Sequence, residues 1–296
     1  MWSWSSHQTS LDLGQAFTWA EGSFLSLETL SFITSLADAG EVMGKGHQSR
    51  LRSLRIVCRT PAQYPQLQSL SSKLSAAPLH LTSIALFIYS QDFVAKTSGG
   101  LPFDCIHPLL HCTTLYSLLL GHNMPIMYSE DDIMTMGKAW PAMEALMLCA
   151  DPVDTVGYSL GRPLRSIGVF ADHFPHLTLL GIYVNTFEIP SDSQEHTRFR
   201  VLGVLDIGTS PDAAEVHLPL SVYLGKVLTA KTVLKSGRSV EHTRALPKTP
   251  ASTTEYARRA ASWASLASDL RAVQASNLAT GVQALAAEDD SLLKEL

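Results

Sequence analysis

The chain has 296 residues, 46% of them apolar and 17% charged, with a formal net charge of −5. This content can bury a sizeable core and excludes a disordered chain, while the negative balance argues against a general phosphate-binding role. Four cysteines, Cys58, Cys105, Cys112 and Cys149, are too few and too scattered for a disulfide-stapled scaffold, and no apolar run approaches the roughly 20 residues that span a bilayer.

The start of the chain, Met1-Trp-Ser-Trp-Ser-Ser-His, lacks the basic region and following apolar run of a signal peptide, so the expected location is cytoplasm or nucleus. Residues 1–23, with Trp2, Trp4, Phe17 and Trp19, form an N-terminal segment that could serve as a partial cap. From residue 24 to 225 one pattern dominates. The sequence L-x-x-L-x-L or a close variant begins at Leu27, Leu51, Leu81, Leu115, Met143, Leu177 and Leu202, with spacings of 24 to 34 residues. That is the signature of leucine-rich repeats, with insertions on the outer side lengthening some copies. The first, fourth and sixth residues of each copy should face the core, and the fourth and sixth stand two apart, as a short strand requires.

Between strands the sequence predicts helices. Ser129-Glu-Asp-Asp132 reads as an N-cap with acid in the first turn, followed by Ile133, Met136 and Trp140 at helical spacing until Pro141. Leu164, Ile167, Ala171 and Phe174 repeat the arrangement up to Pro175, so that helix, proline, strand is the unit. The ninth position, where a repeat asparagine would bond to turn backbone, holds Asn123, Asn185 and the approximate substitute Asp151. The remaining copies carry Ser35, Arg59, Tyr89 and Ser210 there. The fold class expected is α/β, a leucine-rich-repeat solenoid with a curved parallel sheet and convex-side helices, followed by a C-terminal helical segment.

The stretch from Ser129 to Ile182, with Lys138-Ala-Trp140-Pro141 before one strand and His173-Phe-Pro175-His-Leu177 before the next, resembles the repeat region of F-box-like proteins of mushroom-forming fungi. The likeness is at motif level over roughly residues 24–222. In that family an N-terminal F-box bundle docks on a Skp-type adaptor of a cullin-RING ubiquitin ligase, and the repeats present the substrate. Residues 1–23 are too short for such a bundle. The resemblance therefore implies a repeat-only relative or a piece of a longer chain, with the adaptor a partner only if an F-box lies upstream.

A repeat sheet leaves positions three, five and seven of each copy on its concave side. The candidate protein-binding surface is accordingly Arg55, Val57, Phe87, Leu119, Met147, Tyr183 and Asp206, an apolar stripe with a charge toward each end. A non-enzymatic protein-interaction scaffold is the leading expectation, with the partner unidentified and no cofactor, specific nucleic acid or membrane implied.

Three motifs suggest chemistry instead. Gly157-Tyr158-Ser159-Leu160-Gly161 matches the nucleophile elbow of serine hydrolases, with Asp206 and His217 the available acid and base, but proline and two acids precede it where a buried strand is needed. A serine hydrolase using Ser159 is the alternative function. Cys105, His107, His111 and Cys112 place four metal-ligand types in eight residues without a second pair further along, which is weak for zinc. Gly40 to Gly46 lacks the spacing of a phosphate loop.

Residues 226–252 read as a basic polar linker containing Pro247 and Pro250. Residues 253–296 read as a helical segment whose stripe of Trp263, Leu266, Leu270 and Val273, with Arg258, Arg259 and Asp269 off it, suits a cap over the open end of the array.

Overall fold

The computed structural model describes residues 11–12, 27–44, 50–58, 60, 64–77, 80–88, 100–152, 161–186, 189–190, 197–211, 217–237 and 257–276. It is a mixed α/β fold built on a nine-stranded parallel sheet. In order across the sheet run β1 (Leu11–Asp12), β2 (Thr29–Ile33), β3 (Ser53–Cys58), β4 (Ser83–Ile88), β6 (Ser117–His122), β8 (Ala145–Leu148), β10 (Leu179–Ile182), β12 (Val204–Asp206) and β13 (Val233–Lys235). The spatial order follows chain order throughout, so no strand is inserted between earlier ones. Two smaller parallel pairs flank the sheet, β5 (Leu101–Pro102) with β7 (Ile126–Met127) and β9 (Arg162–Pro163) with β11 (Val184–Asn185).

Between strands the chain returns through α1 (Leu36–Gly44), α2 (Tyr64–Ala76), two 3-10 turns (Phe103–Cys105 and His107–His111), α3 (Glu130–Ala139), α4 (Arg165–His173) and α5 (His217–Val227). Each of these packs against its neighbour in sequence, forming one row over the inward face of the sheet. Residues 257–276 form a sixth helix, α6. The segment around His107 and His111 is 3-10, with Pro108 in its first turn.

The inward positions behave as the repeat pattern requires. Of the first, fourth and sixth residues in the seven copies, all but Leu27 are buried, and together with the helix stripes they form a single core. The α3 capping box is present: the Ser129 hydroxyl accepts from the Asp132 amide, and the Asp132 carboxylate accepts from the Ser129 amide. Such a cap contributes about 1 kcal/mol. The helix, proline, strand unit also holds. Trp140 and Phe174 end α3 and α4 as fully buried caps, and their carbonyls accept from the amides of Met143 and Leu177, which begin the next copies. Cys112 does the same for Leu115.

At the start of successive strands one backbone carbonyl takes two amides of the next copy. Glu28 accepts from Arg52 and Ser53, Arg52 from Thr82 and Ser83, and Thr82 from Tyr116 and Ser117. Tyr116 accepts from Glu144 and Ala145, Glu144 from Thr178 and Leu179, and Thr178 from Gly203 and Val204.

Three boundaries differ from the sequence expectation. The basic stretch beginning at 226 is not all linker, because α5 runs through Lys226 to Val227 and β13 pairs with β12 at Val233–Lys235. Three residues with only Leu234 tucked against the core are too short for a periodic signal. At the other end Leu11–Asp12 pairs with Phe32 and Ile33, whereas Trp2, Trp4, Phe17 and Trp19 lie outside the described residues, as do Pro247 and Pro250. The third difference is Arg259, expected off the packed stripe of α6. It is buried and donates to the Thr209 carbonyl at 2.9 Å. Trp263 Nε1 faces the Ser210 and Pro211 carbonyls at 3.4 and 3.2 Å, and Gln274 reaches the Leu228 and Thr229 carbonyls that end α5. The helix thus supplies side-chain donors to backbone carbonyls of the turns that follow β12 and α5.

Candidate functional site

The strand register places the third and fifth residues of every copy in two straight rows on the outer face. The third-position row starts polar, with Thr29, Ser53, Ser83 and Ser117, and turns apolar at Ala145, Leu179, Val204 and Val233. The fifth-position row reads Ser31, Arg55, Ala85, Leu119, Met147, Gly181, Asp206, Lys235. Of the seven residues proposed from the sequence, Arg55, Leu119, Met147 and Asp206 stand in the fifth-position row, Val57 and Phe87 lie two residues further along their strands, and Tyr183 follows the end of β10; they are not equally open. Val57, Phe87 and Tyr183 are buried at 3%, 8% and 4% exposure, whereas Arg55, Leu119, Met147 and Asp206 are half-buried.

The buried end is a small second cluster of Val57, Ala85 and Phe87, joined by Ile33 and Leu119. The Arg55 guanidinium carbon stands 5.4 Å from the centre of the Phe87 ring, within cation–π range. Arg55 therefore contributes its stem and charge to covering this cluster rather than projecting freely. The more open apolar ground lies toward the other end, at Leu119, Met147, Leu179 and Val204, and Val233 is 55% exposed. Gly181 shapes it: a Cβ there would lie 2.9 Å from Met147 Cγ, so the methionine side chain lies across the glycine. Leu179, Val204 and Val233 had not been singled out in the sequence. Position three carries the same alternation as position five and was the signal that could have found them.

Asp206 closes the row. Burial raises its carboxyl pKa, opposed by the Gly208 amide, which donates to Oδ1 at 2.9 Å, and by Lys235 on the adjacent strand. Gly208 itself has φ of +50°, and a Cβ on it would lie 1.9 Å from the Ala150 carbonyl oxygen. The turn leaving β12 is thus pressed onto the turn leaving β8.

The ninth positions are largely buried, as a turn-bonding role needs: Asn123 and Asp151 are covered and Asn185 is half-covered. Ser210, expected to break the ladder, continues it. Its hydroxyl accepts from the Val184 amide at 2.9 Å and donates to the Ile207 carbonyl, tying the last two copies together.

The residues suggested for chemistry are placed as follows. Gly157, Tyr158, Ser159 and Leu160 lie outside the described residues, while Gly161 packs against the backbone of Val184 and Asn185. Asp206 is bonded within its own turn, and His217 bonds to Ser262 on α6, so this acid and base are not brought together. Cys105 is buried while His107 and His111 point to solvent, and among the described residues no three His, Cys, Asp or Glu are placed to hold a metal. Burial pushes the thiols of Cys105 and Cys149 well up and that of Cys112 to about 11, which keeps them protonated and poorly nucleophilic.

A cleft of about 450 Å³ opens between the N-termini of α3 and α4, lined in part by Tyr128, Ser129, Asp131, Arg162 and Ser166. Two of its arginines are engaged within the chain. Arg165 pairs with Glu130 at 2.5 Å, and Arg162 lies over the Tyr128 ring and donates to the Tyr128 carbonyl. No family model, curated protein or solved structure matches this chain. The geometry of the chain's own residues therefore carries the functional argument. No helix among the described residues is long and apolar enough to cross a membrane.

Proposed function

We propose that this chain is a leucine-rich-repeat solenoid acting as a protein-interaction scaffold, related to the substrate-recognition part of F-box proteins. Two features support the solenoid. The parallel strands succeed one another in chain order without the reversal that creates the ligand crevice of doubly wound sheets. The helices also form a single row on one face, whereas parallel sheets of other α/β folds are covered on both.

The observation that carries the binding role is the outer face from Leu119 through Met147, Leu179 and Val204 to Val233. It is a run of apolar side chains on adjacent strands, half-buried from Leu119 to Val204 and exposed at Val233. Strands about 4.8 Å apart make this a stripe of roughly 20 Å, wide enough for a segment of another protein. A Skp-type adaptor belongs to this reading only where the chain is joined to an F-box module.

Met147→Glu and Leu179→Glu place charge on this stripe at half-buried positions, with no core atom removed. Tagged wild-type and variant chains recovered from lysate with their bound proteins should differ by loss of the principal partners. Unchanged partners, with unchanged thermal unfolding of the variants, would remove the assignment of this face.

A further inference from the structure

Where α5 meets α6, three side chains stand in an order that neither the repeat architecture nor a binding face requires. His217 opens α5, and Ser262 and Asp269 lie two turns apart on one face of α6. His217 Nε2 is 2.9 Å from Ser262 Oγ, and its other ring nitrogen, Nδ1, is 3.9 Å from Asp269 Oδ2. A hydroxyl on one nitrogen and a carboxylate on the other is the arrangement by which a serine is activated and its base oriented. None of the three is sealed in the core: the His217 side chain is 23% exposed and that of Asp269 50%.

One further observation bears on the substrate: Leu218 is 66% exposed and Val222, one turn on, is 39% exposed, which gives apolar ground next to His217.

We propose that Ser262 is a nucleophilic serine, with His217 as its general base and Asp269 as a positioning residue, and that it accepts the acyl group of activated esters with an apolar acyl chain. Ser262 Oγ attacks the ester carbonyl while its proton passes to His217 Nε2. The imidazolium so formed draws on Asp269. The carbonyl–alkoxy bond then breaks, and the leaving alcohol takes the proton back from Nε2. Water, deprotonated by the same nitrogen, releases the carboxylic acid and restores the hydroxyl. This site is independent of the scaffold reading, which would stand or fall on the outer face alone.

The test is labelling of the full chain with an alkyl fluorophosphonate, in which Ser262 Oγ displaces fluoride from phosphorus, followed by peptide mapping. The label is expected on Ser262, lost in Ser262→Ala and kept in Ser159→Ala. His217→Gln should slow labelling on the order of 100-fold, as loss of a general base does. Asp269→Asn, which removes the carboxylate beside Nδ1, should slow labelling while helix content is kept, and Asp269→Glu, which retains a carboxylate there, should restore it. Asp269 is the charged partner of this ring among the described residues. Alanine favours a helix interior, so Ser262→Ala should keep the wild-type helix content, checked by circular dichroism. Absence of labelling, labelling unaffected by Ser262→Ala, or a label carried by Ser159 would each overturn the proposal. A labelling rate unchanged by Asp269→Asn would remove Asp269 from it.

Discussion

Removal of the Trp263 indole should unfasten the C-terminal end of the sheet without disturbing its centre. The side chain is 2% exposed and packs within the common core, and its ring nitrogen faces the Ser210 and Pro211 carbonyls. Truncating a buried tryptophan to alanine costs about 3–5 kcal/mol. The two hydrogen bonds are long, at 3.4 and 3.2 Å, so their share is modest, about 1 kcal/mol together. Trp263→Phe, which keeps most of the ring and loses the N–H, should therefore cost about 1–2 kcal/mol. At roughly 2–4 °C per kcal/mol for a domain of this size, Trp263→Ala should lower the melting temperature by roughly 6–20 °C. Urea unfolding gives the free energy, and amide hydrogen exchange locates it. Because each copy of the array contacts only its neighbours, protection should fall in α5, β12 and β13 and persist in β3, β4 and β6. A loss below 1 kcal/mol, or one spread evenly over the sheet, would refute the capping role of α6.

Two other outcomes follow from single side chains. His122 is buried, with Nδ1 accepting from the Met124 amide at 3.0 Å, and burial lowers its pKa from 6.5 to about 4. The folded chain refuses a proton that the unfolded chain takes below about 6.5, so stability should be full above that pH and decline as the pH falls toward 4. One proton over that window amounts to about 3 kcal/mol, and His122→Asn, which retains an acceptor for Met124, should flatten the urea midpoint between pH 4.5 and 6.5, contrary to this argument if the slope survives. Gly208→Ala forces a Cβ onto the Ala150 carbonyl in a left-handed turn and should cost more than about 3 kcal/mol, whereas Gly237→Ala, at φ of +104° but with open space around it, should cost about 1–2 kcal/mol in thermal unfolding. Equal losses at the two glycines would show that the contact with Ala150 does not matter.

What the sequence disclosed was whatever depends on near neighbours in the chain. The inward leucines, the Ser129 capping box and the stops at Trp140-Pro141 and Phe174-Pro175 are written in spacings of a few residues, and the structure places them as read. Alternation likewise assigned Val57, Phe87 and Tyr183 to the outer face. It could not tell that they would be buried, because cover depends on segments distant in sequence. Arg259 was misjudged for a related reason: a charge on an alanine-rich helix looks solvated until its guanidinium is seen to donate to the Thr209 carbonyl, far back in the chain. Ser210 looked like a defect in the asparagine ladder, yet its hydroxyl performs the same bridging. The strand Val233–Lys235 is too brief to announce itself amid lysines. The cluster at α5 and α6 joins His217 to Ser262, 45 residues further on, and to Asp269 beyond it, outside any local pattern.

The shared carbonyls at the start of each strand divide the labour of growth from that of alignment. Copies differ in length from 24 to 34 residues, yet every neighbour is met by the same pair of amides. Extra chain is taken up on the helical side, while the sheet is indexed at one edge like pages at a spine. Such an array can gain or lose outer segments without shifting the row of side chains it displays. A proline at either amide, by contrast, would free one page from the binding, and at Val233 only a single amide reaches back to Gly203. The last strand is where that spine is thinnest, and α6 is fastened beside it.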